Sequence, residues 1–161
     1  MKPKSLRSRA LAIVSRQEIS QAELRRKLAP HAENPAELEQ ILREFAENQW
    51  QSDERYTEVY IHSKAKQHGS LRLKQALANK GIDSDLVQQY LPEREQEHAA
   101  ALAVLQKKFK QPAQTPQEKQ KQIRFLAYRG FKMDSIQHAL KNAWQDESFD
   151  SDFGEHEYEF E

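Results

Sequence analysis

Cysteine is absent from this 161-residue chain. Its absence excludes disulfides, thiolate catalysis and zinc sites built on cysteine. Glycine occurs only four times, and no long run is rich in Val, Ile and Thr, which argues against sheets. No apolar stretch approaches the length needed to cross a bilayer. The basic start "MKPKSLRSRALAIVSRQ" lacks the apolar core of about 7–15 residues that a signal peptide requires. There is no glycine-rich phosphate loop, no HExxH and no nucleophile elbow. Glu95 and His98 have the i, i+3 spacing of half a di-iron ligand set, but such a site needs a second pair and two further carboxylates. None is visible, and His98 reads as a solvated surface residue. These absences predict a soluble, intracellular protein that is not an enzyme and needs no cofactor, metal or small-molecule substrate.

What is present is charge. Charged residues make up 31% of the chain against 37% apolar, a balance that predicts a thin, elongated, helix-rich body rather than a thick globule. The net charge of zero hides a division. Residues 1–144 carry +8, and residues 145–161, "QDESFDSDFGEHEYEFE", carry −8 with eight acids and no base. Opposed halves are informative in a way that a mixed surface is not.

The chain also repeats. "FLAYRGFKMDSIQHAL" (125–140) echoes "ALANKGIDSDLVQQYL" (76–91) at an offset of 49 residues, with Leu126, Gly130, Phe131, Ile136 and Leu140 falling on Leu77, Gly81, Ile82, Val87 and Leu91. A further step of the same length reaches Leu28, Leu38 and Leu42. A constant period over the chain is the signature of a tandem array. We therefore divide it into repeats at 1–49, 50–98 and 99–144, followed by a tail at 145–161.

Each repeat reads as three helices. Leu6, Ala10, Ile13 and Val14 form one stripe; Ser20 and Glu23 make a capping box before Leu24 and Leu28; Asn34-Pro35-x-Glu37 starts a third helix carrying Leu38, Ile41, Leu42 and Phe45. The second repeat offers Tyr56/Val59/Tyr60, Leu73/Ala76/Leu77 and Val87/Tyr90/Leu91. The third has a long helix from about Glu93, and Thr115-Pro116-x-Glu118 opens a helix whose expected buried face is Ile123, Leu126 and Ala127. Ile136, Ala139, Leu140 and Ala143 stripe the last helix. Gly81 and Gly130 stand where a helix ends on a left-handed residue, whereas the first repeat has Ala32 there and needs another corner. The fold class is all-α: three tandem three-helix, helix-turn-helix-like repeats in an elongated, curved array.

Positive charge concentrates in the third repeat, where nine bases face two acids. Such a surface steers polyanions and acidic protein faces. The candidate contact residues are Lys107, Lys108, Lys110, Lys119, Lys121, Arg124, Tyr128, Arg129 and Lys132. A solvated helix face is the competing reading of the bases, and an ordinary surface tyrosine that of Tyr128. The expected recognition helices differ between repeats and "SLRLKQALANKG" has few side chains suited to base edges, so backbone or protein contact is favoured over sequence-specific DNA reading. The tail interleaves its acids with Phe149, Phe153, Tyr158 and Phe160. It reads either as a disordered solubilising tail or as a nucleic-acid mimic that folds onto the basic face.

"SQAELRRKL", "WQSDERYTEVYIHSKAKQHGSLRLKQALANKGI" and "KQIRFLAYRGF…DSIQHAL" resemble the successive signatures of the RecX family, bacterial regulators of the RecA recombinase. The resemblance spans about residues 5–144, and its most specific pieces are Asp53-Glu54-Arg55-Tyr56, Lys80-Gly81-Ile82 and Arg124–Phe131. The missing glycine in the first corner and the acidic tail depart from the shared pattern. The resemblance implies a cytoplasmic, non-catalytic regulator, a monomer away from its target, that lies in the helical groove of the RecA–DNA filament. It implies modulation of RecA ATPase, strand exchange and co-protease activity in recombination, repair and the SOS response; inhibition is the expected direction, and whether recombination overall is restrained or enhanced stays open. The alternative is a nonspecific single-stranded nucleic-acid binder that competes for DNA.

Overall fold

The structure is a computed structural model that describes residues 3–145. Of the tail read at 145–161, all but Gln145 lies outside the described residues. Among the described residues every regular element is helical, in three successive sets of three α-helices. The first set is α1 (Leu6–Arg16), α2 (Gln21–Leu28) and α3 (Pro35–Glu47). The second is α4 (Asp53–Lys64), α5 (Ser70–Asn79) and α6 (Ser84–Tyr90), and the third α7 (Arg94–Lys108), α8 (Pro116–Tyr128) and α9 (Met133–Asn142). The all-α class and the repeated three-helix unit expected from the period are what the chain adopts.

The helix starts follow their caps. Ser20 Oγ accepts from Glu23 N at 3.2 Å, Asn34 Oδ1 from Glu37 N at 2.9 Å and Thr115 Oγ1 from Glu118 N at 3.1 Å. Each cap satisfies a donor that the helix leaves unpaired and stabilises by about 0.5–2 kcal/mol. At α7 the cap is Glu93, whose N–H donates to Gln96 Oε1 at 3.0 Å in a capping box.

The helix ends follow their glycines. Gly81 and Gly130 adopt φ of 77° and 90°, and Ile82 N and Phe131 N return to Leu77 O and Leu126 O at 3.1 and 3.2 Å. Both apolar residues are buried, so each helix ends in a Schellman turn folded onto itself. The first set turns instead through a 3-10 segment, Ala29–His31, and leaves it at an extended Ala32. No left-handed residue is needed there.

Three expectations are corrected. On α4 the buried positions are Thr57 and Ile61, while Val59 is 50% exposed and Tyr56 and Tyr60 are half-buried, stacked 6.1 Å apart. Thr57 tolerates burial because its hydroxyl donates to Asp53 O at 2.8 Å, so a polar side chain takes a core place that an apolar pattern misses. On α8, Ala127 is exposed; the buried residues are Gln122 and Leu126, with Ile123 and Phe125 half-buried. His98 is half-buried rather than solvated: its ring stacks on His138 at 4.5 Å and its Nδ1 lies 2.8 Å from Ser135 Oγ.

The chain forms two compact units, and the division falls inside α5. The first comprises the residues up to Ser63 together with Lys74–Leu91, and the second Lys64–Leu73 together with the chain from Pro92. In the first, Leu6, Ala10, Ile19, Leu24, Leu28, Leu38, Leu42 and Phe45 form the core. There Asp53, at the start of α4, accepts from Gln21 N at 2.8 Å and so caps α2, while Arg55 binds Glu18 at 2.7 Å. In the second, α7 packs most extensively on α9, around Ala101, Leu105, Leu126, Phe131, Ile136 and Ala139.

Candidate functional site

The second unit holds the basic surface. Helix α7 ends on Lys107 and Lys108, where cations are favoured by the helix dipole, and Lys110 follows; all three are exposed. On α8, Lys121, Arg124 and Tyr128 follow i, i+3, i+7 spacing and are exposed, Tyr128 by 78%. Arg129 is the half-buried C-cap of α8, and Lys132 is the exposed N-cap of α9.

Phe125 organises part of this set. Its ring meets Phe109 edge-on at 5.6 Å, and it carries Lys108 Nζ at 5.9 Å and the Arg129 guanidinium at 5.2 Å from its centroid. A cation over an aromatic face gains about 0.5–1 kcal/mol at an exposed site such as that of Lys108. Lys66, Gln67, Lys107, Lys108, Phe125 and Arg129 line a groove of about 580 Å³. Lys110 and Lys121 share a smaller depression of about 310 Å³ with Phe109, Pro112 and Glu118. Arg124 and Tyr128 line neither, and Lys119 and Lys132 stand apart from both. None of the nine predicted residues is ion-paired with a carboxylate among the described residues.

Sequence reasoning missed Lys66 and Arg72. Both lie in the near-neutral stretch 50–98, yet the fold delivers them to the basic face. Gly69 N donates to Arg129 O at 2.8 Å and Leu71 N to Gly130 O at 3.0 Å, which stitches the start of α5 to the corner after α8. A Cβ on Gly69 would lie 2.4 Å from Gly130 backbone atoms, so the approach needs glycine. The Arg72 guanidinium then stands 5.5 Å from the Tyr128 ring centroid. Glycine in "QHGS" was the available signal. Beside the stitch, burial and the charges of Arg72, Arg129 and Lys64 push the His68 pKa below its ordinary value.

Among the described residues no group of three or more His, Asp or Glu is arranged to hold a metal. No described helix is long and apolar enough to cross a membrane.

Two domain descriptions match this chain: the second three-helix domain of RecX over residues 52–91 and the third three-helix domain of RecX over residues 95–140. The regulatory protein RecX of Neisseria meningitidis serogroup B is 63% identical over 147 residues, covering 91% of this chain and 96% of that protein. The chain belongs to the RecX family. The RecX regulatory protein of Chromobacterium violaceum is 38% identical over the same share of each chain. The crystal structure of RecX from Lactobacillus salivarius superposes with a TM-score of 0.77 at 19% identity, over 86% of this chain and 94% of that one. At that identity the likeness speaks for the fold, and it shows that the RecX architecture persists when four residues in five differ.

Proposed function

We propose that this RecX-family protein is a cytoplasmic, non-catalytic regulator that binds the RecA–DNA filament and restrains its ATPase, strand-exchange and co-protease activities. The observation that carries this reading is the groove where Lys66, Lys107, Lys108 and Arg129 surround Phe125, flanked by exposed Arg124 and Tyr128. Cations without carboxylate partners among the described residues are available to an acidic protein face or to phosphates, and an aromatic ring suits a base or an apolar side chain. Three repeats, at 1–49, 50–98 and 99–144, allow one monomer to touch more than one protomer of a helical polymer, so binding depends on the assembled filament.

The second reading is a nonspecific single-stranded DNA binder, favoured by the same pairing of cations with Phe125 and Tyr128. Titration of RecA ATPase on pre-formed filaments separates the two. Regulation predicts inhibition at amounts far below those that cover the DNA, whereas competition requires saturating protein. The doubly charge-reversed variant Arg124→Glu, Arg129→Glu is expected to lose inhibition while keeping its helical circular dichroism. Unchanged inhibition by that variant removes these residues from the interface.

A further inference from the structure

A second groove, on the other flank of α8, has no role in the reading above. It measures about 460 Å³ and is lined by Ile123, Met133, Leu140 and Trp144, with Lys119 and Lys141 at its rim. Met133 is 53% exposed, an uncommon state for a large apolar side chain beside others of its kind. Its volume falls within the range of about 300–1,000 Å³ typical of sites that take organic groups. Gln122, which also lines it, is only 3% exposed, and its Oε1 has no donor among the described residues. A buried acceptor without a donor costs about 1–3 kcal/mol unless an incoming group supplies one.

The chain itself leaves from this groove. Trp144 is part of its wall, and residues 146–161 follow directly after Gln145. Phe149 lies five residues beyond Trp144 and Phe153 nine, with acids between them at Asp146, Glu147, Asp150 and Asp152. Five residues reach at most about 17 Å, so the first phenylalanine is tethered within range of the groove. The pattern of acids around an aromatic matches apolar walls rimmed by lysines, and eight acids face the excess of seven positive charges on 99–144.

We propose that residues 146–161 dock in cis into this groove, with Phe149 or Phe153 against Ile123, Leu140 and Trp144 and the neighbouring carboxylates on Lys119 and Lys141. The docked segment competes with polyanions through the field of the unit rather than by covering the basic groove, because its eight acids offset the seven excess positive charges of 99–144. Tethering raises its local concentration to the order of millimolar, enough for weak contacts to count. The use of this competition in filament regulation rests on the function proposed above; the docking does not.

Acrylamide quenching of Trp144, in the full chain carrying Trp50→Phe so that one tryptophan reports, tests the docking without RecA or DNA. At low salt the quenching constant is expected to rise about twofold when Phe149→Ser and Phe153→Ser are added, and that difference should shrink at 1 M salt, where charges are screened beyond about 3 Å. Lys141→Glu in the groove rim is expected to reproduce part of the rise. Because the two serine substitutions keep all eight acids, their effect on binding isolates docking from bulk charge: affinity for oligodeoxythymidylate at low salt is expected to tighten about tenfold. Equal quenching in the two chains at low salt overturns the proposal, as does an unchanged affinity for the oligonucleotide. Protection of Trp144 that grows with protein concentration assigns the segment to a second copy and overturns docking in cis.

Discussion

Glu97, on α7, caps a helix to which it does not belong. Its Oε1 accepts from Ser70 N at 2.9 Å and from Ser70 Oγ at 3.0 Å, at the first residue of α5. The carboxylate is 6% exposed and Ser70 3%. Asp53 does the same for Gln21 at the start of α2. In both cases an acid from the first helix of one three-helix set satisfies the start of the middle helix in the set before it. The joint between sets is thus a charge-assisted cap, which is stronger than a neutral one.

Glu97→Ala is therefore expected to destabilise the protein by about 1–3 kcal/mol, since it leaves a buried N–H and a buried hydroxyl unpaired. Glu97→Gln retains an acceptor oxygen and should cost less. Urea denaturation followed by circular dichroism checks both, and equal losses would mean that the acceptor geometry, rather than the carboxylate, is irrelevant to the cap.

The corner glycines make a second prediction. A Cβ on Gly81 would lie 2.5 Å from Ala22 Cβ, and one on Gly130 2.3 Å from Arg72 Cβ and 2.5 Å from Arg72 N. Gly81→Ala meets a side chain that can be removed, so Ala22→Gly should recover the steric part of its loss and leave about 1 kcal/mol for the left-handed backbone. Gly130→Ala meets backbone and has no such rescue. A double-mutant cycle on thermal stability measures the difference.

Lys66 and Arg72 are predicted to contribute to polyanion binding alongside Lys107 and Lys108, although they lie far away in sequence. Each residue replaced by Ala should lower the slope of log affinity for oligodeoxythymidylate against log salt by about one, if it meets one phosphate. Fluorescence anisotropy over a salt series reads this directly. A slope unchanged by Lys66→Ala would take that residue out of the groove's function.

Stability should fall as acid is added through the range in which histidine protonates. His68 has its pKa lowered in the folded protein, chiefly by burial and then by Arg72, Arg129 and Lys64. As pH drops through the ordinary value of 6.5, the unfolded chain takes up the proton first, which favours unfolding until the folded-state value is passed. His68→Gln should flatten the part of the Tm decline between pH 7.5 and 5.5 that this ring contributes. A decline unaltered by the substitution would place it on other groups.

Much of this protein is legible in its sequence. The 49-residue offset, the caps at Ser20, Asn34 and Thr115 and the left-handed Gly81 and Gly130 are local features, set by interactions within one or two helical turns. The motif Asp53-Glu54-Arg55-Tyr56 was legible as a signature but not as a mechanism: Asp53 caps α2, Glu54 accepts from the Tyr90 hydroxyl and Arg55 binds Glu18. Those partners lie 32 to 37 residues away. The phase of α4 was misread because Thr57 enters the core by satisfying its own hydroxyl locally, which an apolar pattern does not register.

By itself, then, the sequence determined the helices, their ends, the repeat and the segment in which positive charge accumulates, because each follows from neighbours along the chain. Only the tertiary structure decided which cations share a groove. It brought Lys66 and Arg72 to the face of α7 and α8 and moved Lys119 to the opposite flank. The physical reason is that a charge tally adds residues along one dimension, whereas the stitch from Gly69 to Gly130 joins segments some 60 residues apart, and helical rotation sends neighbours in sequence to different faces.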